Sequence, residues 1–316
     1  MKNICVTGAN GFVGKFLCDV LKSSDKSIRG FVRTLDTSTN LSKVEYVSVG
    51  DMRSEINWKK HLNGFDCIIH CAGKAHVMNE KKETNTYRQI NTEATKVLAE
   101  QAAYSGVKRF IFLSTIKVNG ESTVNNDQNS IFKSTDIPNP QDAYSKSKLE
   151  AENFLWEIAS KTNLEIVIVR LPLVYGNGTK GNLARLIKLI NSSIILPFSG
   201  INNKRSLVGI DNLVDLLIRC IDSPFAAGKT FLISDDKDLS TPDLIKLIAS
   251  SMGKKARLFP FPIFLLKFLG FILGKSNEIN RLVGSLRIDN SYTKKTLEWS
   301  PPLSVEEGIR RMVQGE

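Results

Sequence analysis

The chain of 316 residues carries 43 lysines and arginines against 32 aspartates and glutamates, which gives a formal net charge of +11. The basic residues are spread along the chain without a basic arm or an arginine-rich stripe, so the composition does not favour a nucleic-acid binder. The five cysteines are scattered and odd in number, and the N-terminus shows no secretory or transit pattern, so we expect a cytoplasmic protein with reduced thiols and no metal site.

Short runs rich in valine and isoleucine alternate with longer helical patterns through the first half of the chain. The strand candidates, in chain order, are NICVTG, IRGFVR, VEYVSVGD, DCIIHCAG, RFIFLST and EIVIVRLPLVYG. Helices are predicted over 12–22, 55–62, 84–105 and 143–161. Near-continuous apolar strands separated by helices are typical of a parallel sheet covered on both faces.

The fold class that this pattern predicts is α/β, with a Rossmann-type doubly wound parallel sheet and a smaller C-terminal substrate-binding lobe. The alternation weakens after residue 176 into helices, loops and isolated strands such as TFLISD. We therefore expect a dinucleotide-binding domain over 1–176, a substrate-binding lobe over 177–316, and a segment near 204–235 that returns to the first domain.

A glycine-rich stretch, TGANGFVG, follows the first predicted strand and opens the first predicted helix. Glycine at 8, 11 and 14 permits a tight turn, close passage of the backbone past a pyrophosphate, and close packing of the helix on the strand, while the helix N-terminus attracts the anion. The loop therefore predicts dinucleotide binding. The cofactor contacts expected here are Gly8, Asn10, Gly11, Phe12, Val13 and Gly14.

The second strand ends in GFVRT, which puts Arg33 where an acidic residue would bind the adenosine ribose of NAD. A basic residue suits the extra phosphate of NADP, and Asp36 lies just beyond. The cofactor is thus predicted to be NAD or NADP, with NADP slightly favoured. The alternative is that Arg33 is a solvated charge or stacks on the adenine of either cofactor.

The ends of the next three strands supply further candidates, because ligands of doubly wound sheets bind at the carboxyl edge. The third strand ends in GDM, the fourth runs into HCAGKAH, and the fifth ends with a serine and a threonine. We expect these residues near the cofactor or the reacting group: Asp51, Met52, Ala72, Gly73, Ser114 and Thr115.

Tyr144 and Lys148 lie four residues apart on the predicted helix 143–161 and therefore share one face. The same stripe continues through Ala151, Leu155 and Ile158, so the lysine points toward the core, where an unpaired ammonium would be costly. A nearby cation favours the phenolate of a tyrosine, and the pair could then exchange a proton with a hydroxyl or carbonyl group. The alternative is a solvated helix with a chance tyrosine.

The inward stripe of the predicted helix 84–105 contains one polar residue, Asn91, between Tyr87 and Leu98. We expect its side chain to bind backbone or ordered water, since a buried amide needs partners. A satisfied core asparagine without a role is the alternative.

Two apolar surfaces are candidate contact sites for a partner. Leu149 and Trp156 project from the helix face opposite Tyr144, which favours a homodimer, with burial within the chain as the alternative.

The stretch LFPFPIFLLKFLGFILGK, 258–275, is too short and too interrupted to span a membrane. We expect it to form a helix packed on the smaller lobe, with an interfacial helix at a membrane as the alternative.

Four pieces in order, TGANGFVG, HCAGKAH, LSTIKVNG and the Tyr-x-x-x-Lys motif in YSKSK, resemble the extended short-chain dehydrogenase/reductase family, in its nucleotide-sugar epimerase, dehydratase and reductase branch. RLPLVYG, KRSLVGIDNLVD and LEWSPPLSVEEGI extend the resemblance over nearly the whole chain. Asn119 departs from the tyrosine that often ends the third motif, a change expected to affect packing more than chemistry.

The resemblance implies roles for matching positions. Tyr144 would be the proton-transferring acid/base, Lys148 would lower its pKa and bind the nicotinamide ribose, and Thr115 would hydrogen-bond the reacting oxygen. Ser114, Lys74 and Asn91 would lie near the cofactor. The implied substrate contacts are Asn182 and Arg205 at the diphosphate, Phe198 at the uracil and Arg281 as a second phosphate clamp.

The implied activity is an NAD(P)-dependent oxidoreductase acting at C4 of a UDP-linked sugar. Because a reductase must exchange spent cofactor, Arg33 favours reduction of a UDP-4-keto-6-deoxy-N-acetylhexosamine, of the UDP-N-acetylquinovosamine type, for O-antigen, lipopolysaccharide or other surface-polysaccharide synthesis. The alternative is a UDP-glucose or UDP-N-acetylglucosamine 4-epimerase, and a distant one is a non-catalytic NADP-binding sensor. The expected partners are thus a UDP-sugar and a second copy of the chain, with no nucleic acid and no membrane span.

Overall fold

The computed structural model describes residues 1–35, 44–53, 55–75, 80–123 and 130–315, with the backbone alone for 80–83. The described residues contain nine strands: β1 Asn3–Thr7, β2 Ser27–Val32, β3 Val44–Ser48, β4 Cys67–His70, β5 Arg109–Thr115, β6 Glu165–Leu171, β7 Leu173–Tyr175, β8 Leu207–Gly209 and β9 Lys229–Leu232. Seven of them form one sheet in the order β3-β2-β1-β4-β5-β6-β9, with every neighbouring pair parallel. β7 and β8 form a separate parallel pair.

Helices connect the strands and form most of the second lobe. They are α1 Phe12–Leu21, α2 Lys59–Leu62, α3 Glu80–Tyr87, α4 Ala94–Tyr104, α5 Ala143–Lys161, α6 Gly181–Asn191, α7 Ile210–Asp222, α8 Thr241–Ser251, α9 Ile263–Ile272, α10 Ser276–Val283, α11 Ser291–Leu297 and α12 Val305–Gln314. The predicted helix 55–62 shrinks to α2. The predicted helix 84–105 is α3 and α4 joined by a π-helical turn, Arg88–Glu93.

The main sheet is covered on both faces, because successive residues of its strands point to opposite sides. On β5, Ile111 packs into the core that includes helices α1 and α7, whereas Phe110 and Phe112 pack into the core that includes α4 and α5. A third cluster, built around Ile245 and Ile309, forms the core of the lobe. The fold is therefore the Rossmann-type doubly wound sheet that the sequence predicts, while the domain division at residue 176 stays a prediction.

The strand predicted in TFLISD does not stand alone. β9 pairs with β6 and forms an edge of the main sheet, 58 residues of chain after β6 has ended and long after the lobe has begun. Val167 of β6 lies opposite Lys229, and Phe231 on β9 is fully buried in the core. Its short apolar run gives little periodicity, so its place in the sheet comes from a long-range pairing.

The apolar segment 258–275 differs most from expectation. Within it, α9 buries only Leu266 and Gly270, and Gly270 packs closely against Ile279 of α10. The expectation that this helix packs on the smaller lobe is therefore wrong for most of its side chains, because the described residues bury only a narrow stripe of it. Among the described ranges, no helix combines the length and the apolar content needed to cross a membrane.

Candidate active site

The glycine loop lies between β1 and α1 and has no room for side chains at two points. Gly8 has a φ of +64°, and a Cβ there would lie 2.8 Å from the backbone nitrogen of Ala72. A Cβ on Gly14 would lie 2.2 Å from the Gly8 carbonyl oxygen, so close packing of α1 on the loop also requires glycine. The helix begins at Phe12 with no side chain of the described residues capping it, which leaves its N-terminal amides for an anion.

A pocket of about 690 Å³ opens at this loop, along the carboxyl ends of β1 to β4. It brings together nine of the predicted cofactor contacts, namely Gly8, Asn10, Gly11, Arg33, Asp51, Met52, Ala72, Gly73 and Lys74. Phe12, Val13 and Gly14 instead form the first turn of α1, where the two apolar side chains are half-buried against the core and the glycine is buried. A dinucleotide fits these residues, because a side chain at Gly8 would obstruct the loop and α1 presents its positive end.

The adenosine end of the pocket is charged. Arg33 is exposed, directly after the last residue of β2. Asp51 accepts hydrogen bonds from Arg53 at 2.7 and 3.0 Å, and Arg53 and then Arg33 hold the pKa of that carboxyl well below its usual range. Asp36 lies outside the described residues. Of the described residues that line this end of the pocket, Asp51 is the acidic one, and Arg53 already neutralises it.

Asn91 sits in the π-helical turn and holds the loop after β4. Its Oδ1 accepts from the backbone nitrogen of Lys74 at 2.8 Å, and its Nδ2 donates to the Lys74 carbonyl at 3.0 Å and to Ser147 Oγ at 3.1 Å. This satisfies the expectation that the buried amide binds backbone. Single π turns inside helices recur at functional sites, and here the turn aims an amide at the cofactor pocket.

Lys148 lies behind the same loop. Its side chain is buried, its Nζ donates to the Leu113 carbonyl at 2.9 Å, and the ammonium lies 4.4 Å from the centre of the Phe112 ring. A Cβ on Gly73 would be 3.3 Å from this Nζ, so the ammonium stands against the rim of the dinucleotide pocket. Burial lowers the pKa of Lys148 to about 8, against the opposing charge of Glu152.

Tyr144 begins α5 one residue after the first helical position, where Asp142 and Ser145 form a capping box. Its ring lies 5.9 Å from that of Tyr87. Burial raises the pKa of its phenol above the ordinary value, and a hydrogen bond with Thr115 acts in the opposite direction. The expectation that Lys148 holds this pKa down is not met in the protein alone, because burial outweighs the lowering influences.

A buried ionic network behind the pair went unnoticed in the sequence. Arg170 on β6 donates to Glu152 at 2.6 and 3.1 Å and to the Asn119 oxygen at 2.9 Å, and Ser114 donates its hydroxyl to Glu152. Glu152 stands four residues after Lys148, so the spacing along α5 could have suggested it. Asn119 therefore does more than pack, since it binds the guanidinium.

A second pocket, of about 420 Å³, adjoins the start of α5. Arg281 of α10 lines it, with its guanidinium 3.8 Å from Asp142 and 3.9 Å from Glu121. Lys117 binds the same two carboxylates at 2.6 and 2.7 Å. The predicted second phosphate clamp thus lies in a pocket beside Ala143, the residue before Tyr144.

The other predicted substrate contacts are more dispersed. Arg205 is partly buried and donates to the carbonyl oxygens of Arg281 and Gly284 at 2.8 and 3.1 Å, which fastens the end of α10. Asn182 is exposed in the first turn of α6, and Phe198 packs partly buried against the lobe core. Their roles toward substrate stay predictions.

The chain is similar to known proteins. The model of the "NAD dependent epimerase/dehydratase family" matches residues 4–234. A UDP-glucose 4-epimerase of Vibrio cholerae is 42% identical over 99% of this chain and 95% of its own length. An N-acetyl-alpha-D-glucosaminyl-diphospho-ditrans,octacis-undecaprenol 4-epimerase of Escherichia coli O157:H7 is 25% identical, with the same coverage. The structure of a UDP-glucuronic acid 4-epimerase from Bacillus cereus with NAD, 21% identical, superposes with a TM-score of 0.80 over 99% of this chain and 96% of that one, which shows a shared fold.

Proposed function

Because the chain belongs to the NAD-dependent epimerase/dehydratase family, we propose that it inverts C4 of a UDP-linked sugar, UDP-glucose or UDP-N-acetylglucosamine. The observation that carries the proposal is a group of three side chains, of which Lys148 stands at the rim of the dinucleotide pocket. Tyr144 hydrogen-bonds Thr115, and the Lys148 ammonium stands against Gly73. The substrate class follows the Vibrio cholerae relative, which resembles the chain over nearly its whole length.

NAD is the cofactor of this family, so the slight preference for NADP drawn from Arg33 is not supported. When bound, NAD takes up and returns a hydride at the carbon that bears the reacting oxygen. The chain would hold it with the glycine loop at the pyrophosphate and with Lys148 on the nicotinamide side. Asn91 would keep the backbone at Lys74 in place along the same pocket.

Tyr144 moves the proton in this proposal. The raised pKa of its phenol keeps the group protonated in the protein alone, which suits donation to a 4-keto oxygen. Removal of a proton from a 4-hydroxyl requires positive charge nearby, which Lys148 carries below its pKa of about 8. Thr115 holds the oxygen in line with the phenol.

Inversion requires the 4-keto sugar to turn so that the opposite face of C4 receives the hydride while its oxygen stays within reach of Tyr144, so the diphosphate needs an anchor of its own. Arg281 supplies a cation in the pocket next to Tyr144. Its ion pairs with Asp142 and Glu121 are long, at 3.8 and 3.9 Å, which leaves the guanidinium able to exchange a carboxylate for a phosphate.

The test is incubation of the purified protein with UDP-glucose and, separately, UDP-N-acetylglucosamine, with NAD present and proton NMR as the readout. We expect the galacto isomer of at least one sugar to accumulate to equilibrium without net change in NADH absorbance. Absence of both galacto products would reject the epimerase.

Reduction of a UDP-4-keto-6-deoxy-N-acetylhexosamine is the second candidate, and the exposed Arg33 at the end of β2 favours it. An acid at that position would bind the ribose of NAD, and its lack suits an enzyme that releases its dinucleotide after each turnover. Stoichiometric consumption of NADH or NADPH with this substrate, together with no change in UDP-glucose, would select the reductase.

A further inference from the structure

The apolar surface of α9 is the largest feature that the proposed function does not use. Phe264 is 69% exposed, Phe271 is 75% exposed and Leu273 is 68% exposed. The remaining exposed large apolar side chains of α9 are Leu265, Phe268, Leu269 and Ile272. We call these seven residues the α9 face. Contiguous apolar surface of this kind marks an interaction site in a folded protein.

The chain around the α9 face is mainly basic, with Glu278 of α10 as the first acidic residue after it. Residues 244–277 contain six lysines and arginines and no aspartate or glutamate, and 176–210 contain five and none. The two segments are adjacent in the lobe, since Leu196 forms a bridge with Leu258. Their eleven basic residues equal the net charge of the entire chain, +11, so the rest of the sequence is neutral.

The α9 face also has a defined position relative to the second pocket. Gly270 packs on Ile279, which joins α9 to α10. α10 in turn contributes Asn277, Asn280 and Arg281 to the pocket beside α5. A partner bound to the α9 face would therefore contact α9, and α9 packs on α10, the helix that lines the pocket.

We propose that the α9 face docks onto the surface of a bilayer that contains anionic lipid. A helix of 10 residues with phenylalanines and leucines exposed is too short to span and suits the boundary between headgroups and acyl chains. Lys267 and Lys275 are exposed at its middle and just beyond its end and can extend their ammonium groups to lipid phosphates. The inference is independent of the sugar that the pocket accepts.

The charge argues against a second copy of the chain as the occupant. In a two-fold interface the same patch meets itself, so the lysines of 244–277 would face their own copies with no acidic residue in the segment to offset them. An anionic headgroup layer offers the opposite charge across the whole surface.

The experiment is co-sedimentation of the full chain with vesicles of phosphatidylcholine alone and of phosphatidylcholine with one quarter phosphatidylglycerol. The test variant replaces Phe264, Phe268 and Phe271 by serine. The matched control replaces two exposed apolar residues elsewhere, Ile137 and Phe225, by serine. Thermal unfolding of each variant confirms that the fold is retained.

We expect the wild type and the control to bind the anionic vesicles at least tenfold more tightly than the neutral ones, with weaker binding at 0.5 M salt. The serine variant should lose at least tenfold in affinity. The proposal is overturned if the wild type stays in the supernatant with anionic vesicles, or if the serine variant binds as well as the control. A wild-type dimer that the serine variant converts to monomer, without vesicle binding, would assign the α9 face to a second copy instead.

Discussion

The buried ionic network of the sheet half and the Arg281 pocket of the lobe half hold their charged groups in opposite ways. Around the sheet, Lys148, Glu152 and Arg170 are almost completely buried, and each is held by hydrogen bonds of 2.6 to 3.1 Å. In the lobe, Arg281 is more than a quarter exposed and its ion pairs are 3.8 and 3.9 Å long. The sheet therefore fixes the geometry of the chemistry, and the lobe supplies contacts that can rearrange around a substrate.

This difference has an energetic consequence. A buried charge that loses its partner is left in a poorly solvated site, whereas a partly exposed one is rescued by water. Substitutions on the sheet side should therefore change the rate or the stability strongly. Those in the lobe should change substrate affinity mildly.

The largest effect is expected for Tyr144→Phe. The change removes the only group we assign to proton transfer and leaves the ring in place, so kcat should fall by roughly 10²- to 10⁴-fold. The affinity for NAD, measured by titration calorimetry, should stay within a few-fold. Tyr104→Phe, an exposed tyrosine on the same half, is the control and should keep full turnover. A Tyr144→Phe protein with unchanged kcat would rule out the assignment.

Glu152→Gln should have the next largest effect. It leaves the buried Arg170 without its carboxylate, which is expected to cost about 3–5 kcal/mol of unfolding free energy. Urea unfolding measures the loss. Glu150→Gln on the same helix breaks a partly exposed pair with Arg88 and should cost about 0.5 kcal/mol. Equal losses for the two variants would contradict the contrast between buried and exposed charges.

Lys148 should make stability depend on alkaline pH. Its folded pKa of about 8 lies below the ordinary 10.5, so between these values the unfolded chain binds more protons and the unfolding free energy rises with pH. The gain should reach ~3 kcal/mol across the full interval, because one pKa unit is worth about 1.4 kcal/mol. Unfolding of the cofactor-free wild type and of Lys148→Met from pH 7.5 to 10 should show this rise as a growing difference between the two proteins. The difference is the proper measure because burial raises the pKa of the five cysteine thiols, which lowers the stability of both proteins over the same range. Lys146→Met, at an exposed position, should show no such growing difference from the wild type. A difference between the wild type and Lys148→Met that does not change with pH would be incompatible with the burial of Lys148.

Arg281→Met should have the smallest effect. Loss of one charge-assisted phosphate contact should raise KM for the UDP-sugar about tenfold, close to 1.4 kcal/mol, and change kcat little. Steady-state kinetics separates the two constants. Arg257→Met, at an exposed position of the lobe, is the matched control and should leave KM within twofold. A fall in kcat at Arg281 that matched Tyr144→Phe would mean that the lobe, too, fixes the chemistry.

Much of the sheet half could be predicted from the sequence because its signals are local. The three glycines define a loop whose contacts forbid a Cβ, and Tyr144 and Lys148 follow helical spacing. Strands of near-continuous valine and isoleucine have few alternatives to a parallel sheet. Nine predicted cofactor contacts consequently line a single pocket.

The remainder depends on interactions between distant parts of the chain. The pair of Glu152 and Arg170 joins a helix to a strand, and neither residue stands out from its own segment. The π-helical turn at Asn91 leaves no mark in the hydrophobic periodicity. The apolar content of 258–275 predicts burial, but apolar residues need a partner, and within α9 the described chain buries only Leu266 and Gly270. Trp156 is half-buried against the core of its own chain, so a homodimer through α5 stays a prediction.

A structure of the protein with NAD and the UDP-sugar tests the central claim most directly. The account predicts the C4 oxygen of the sugar at about 2.6–3.2 Å from the Tyr144 hydroxyl, with the pyrophosphate of NAD at the glycine loop. A C4 oxygen turned away from Tyr144 and toward the pocket of Arg281, with the diphosphate elsewhere, would contradict it.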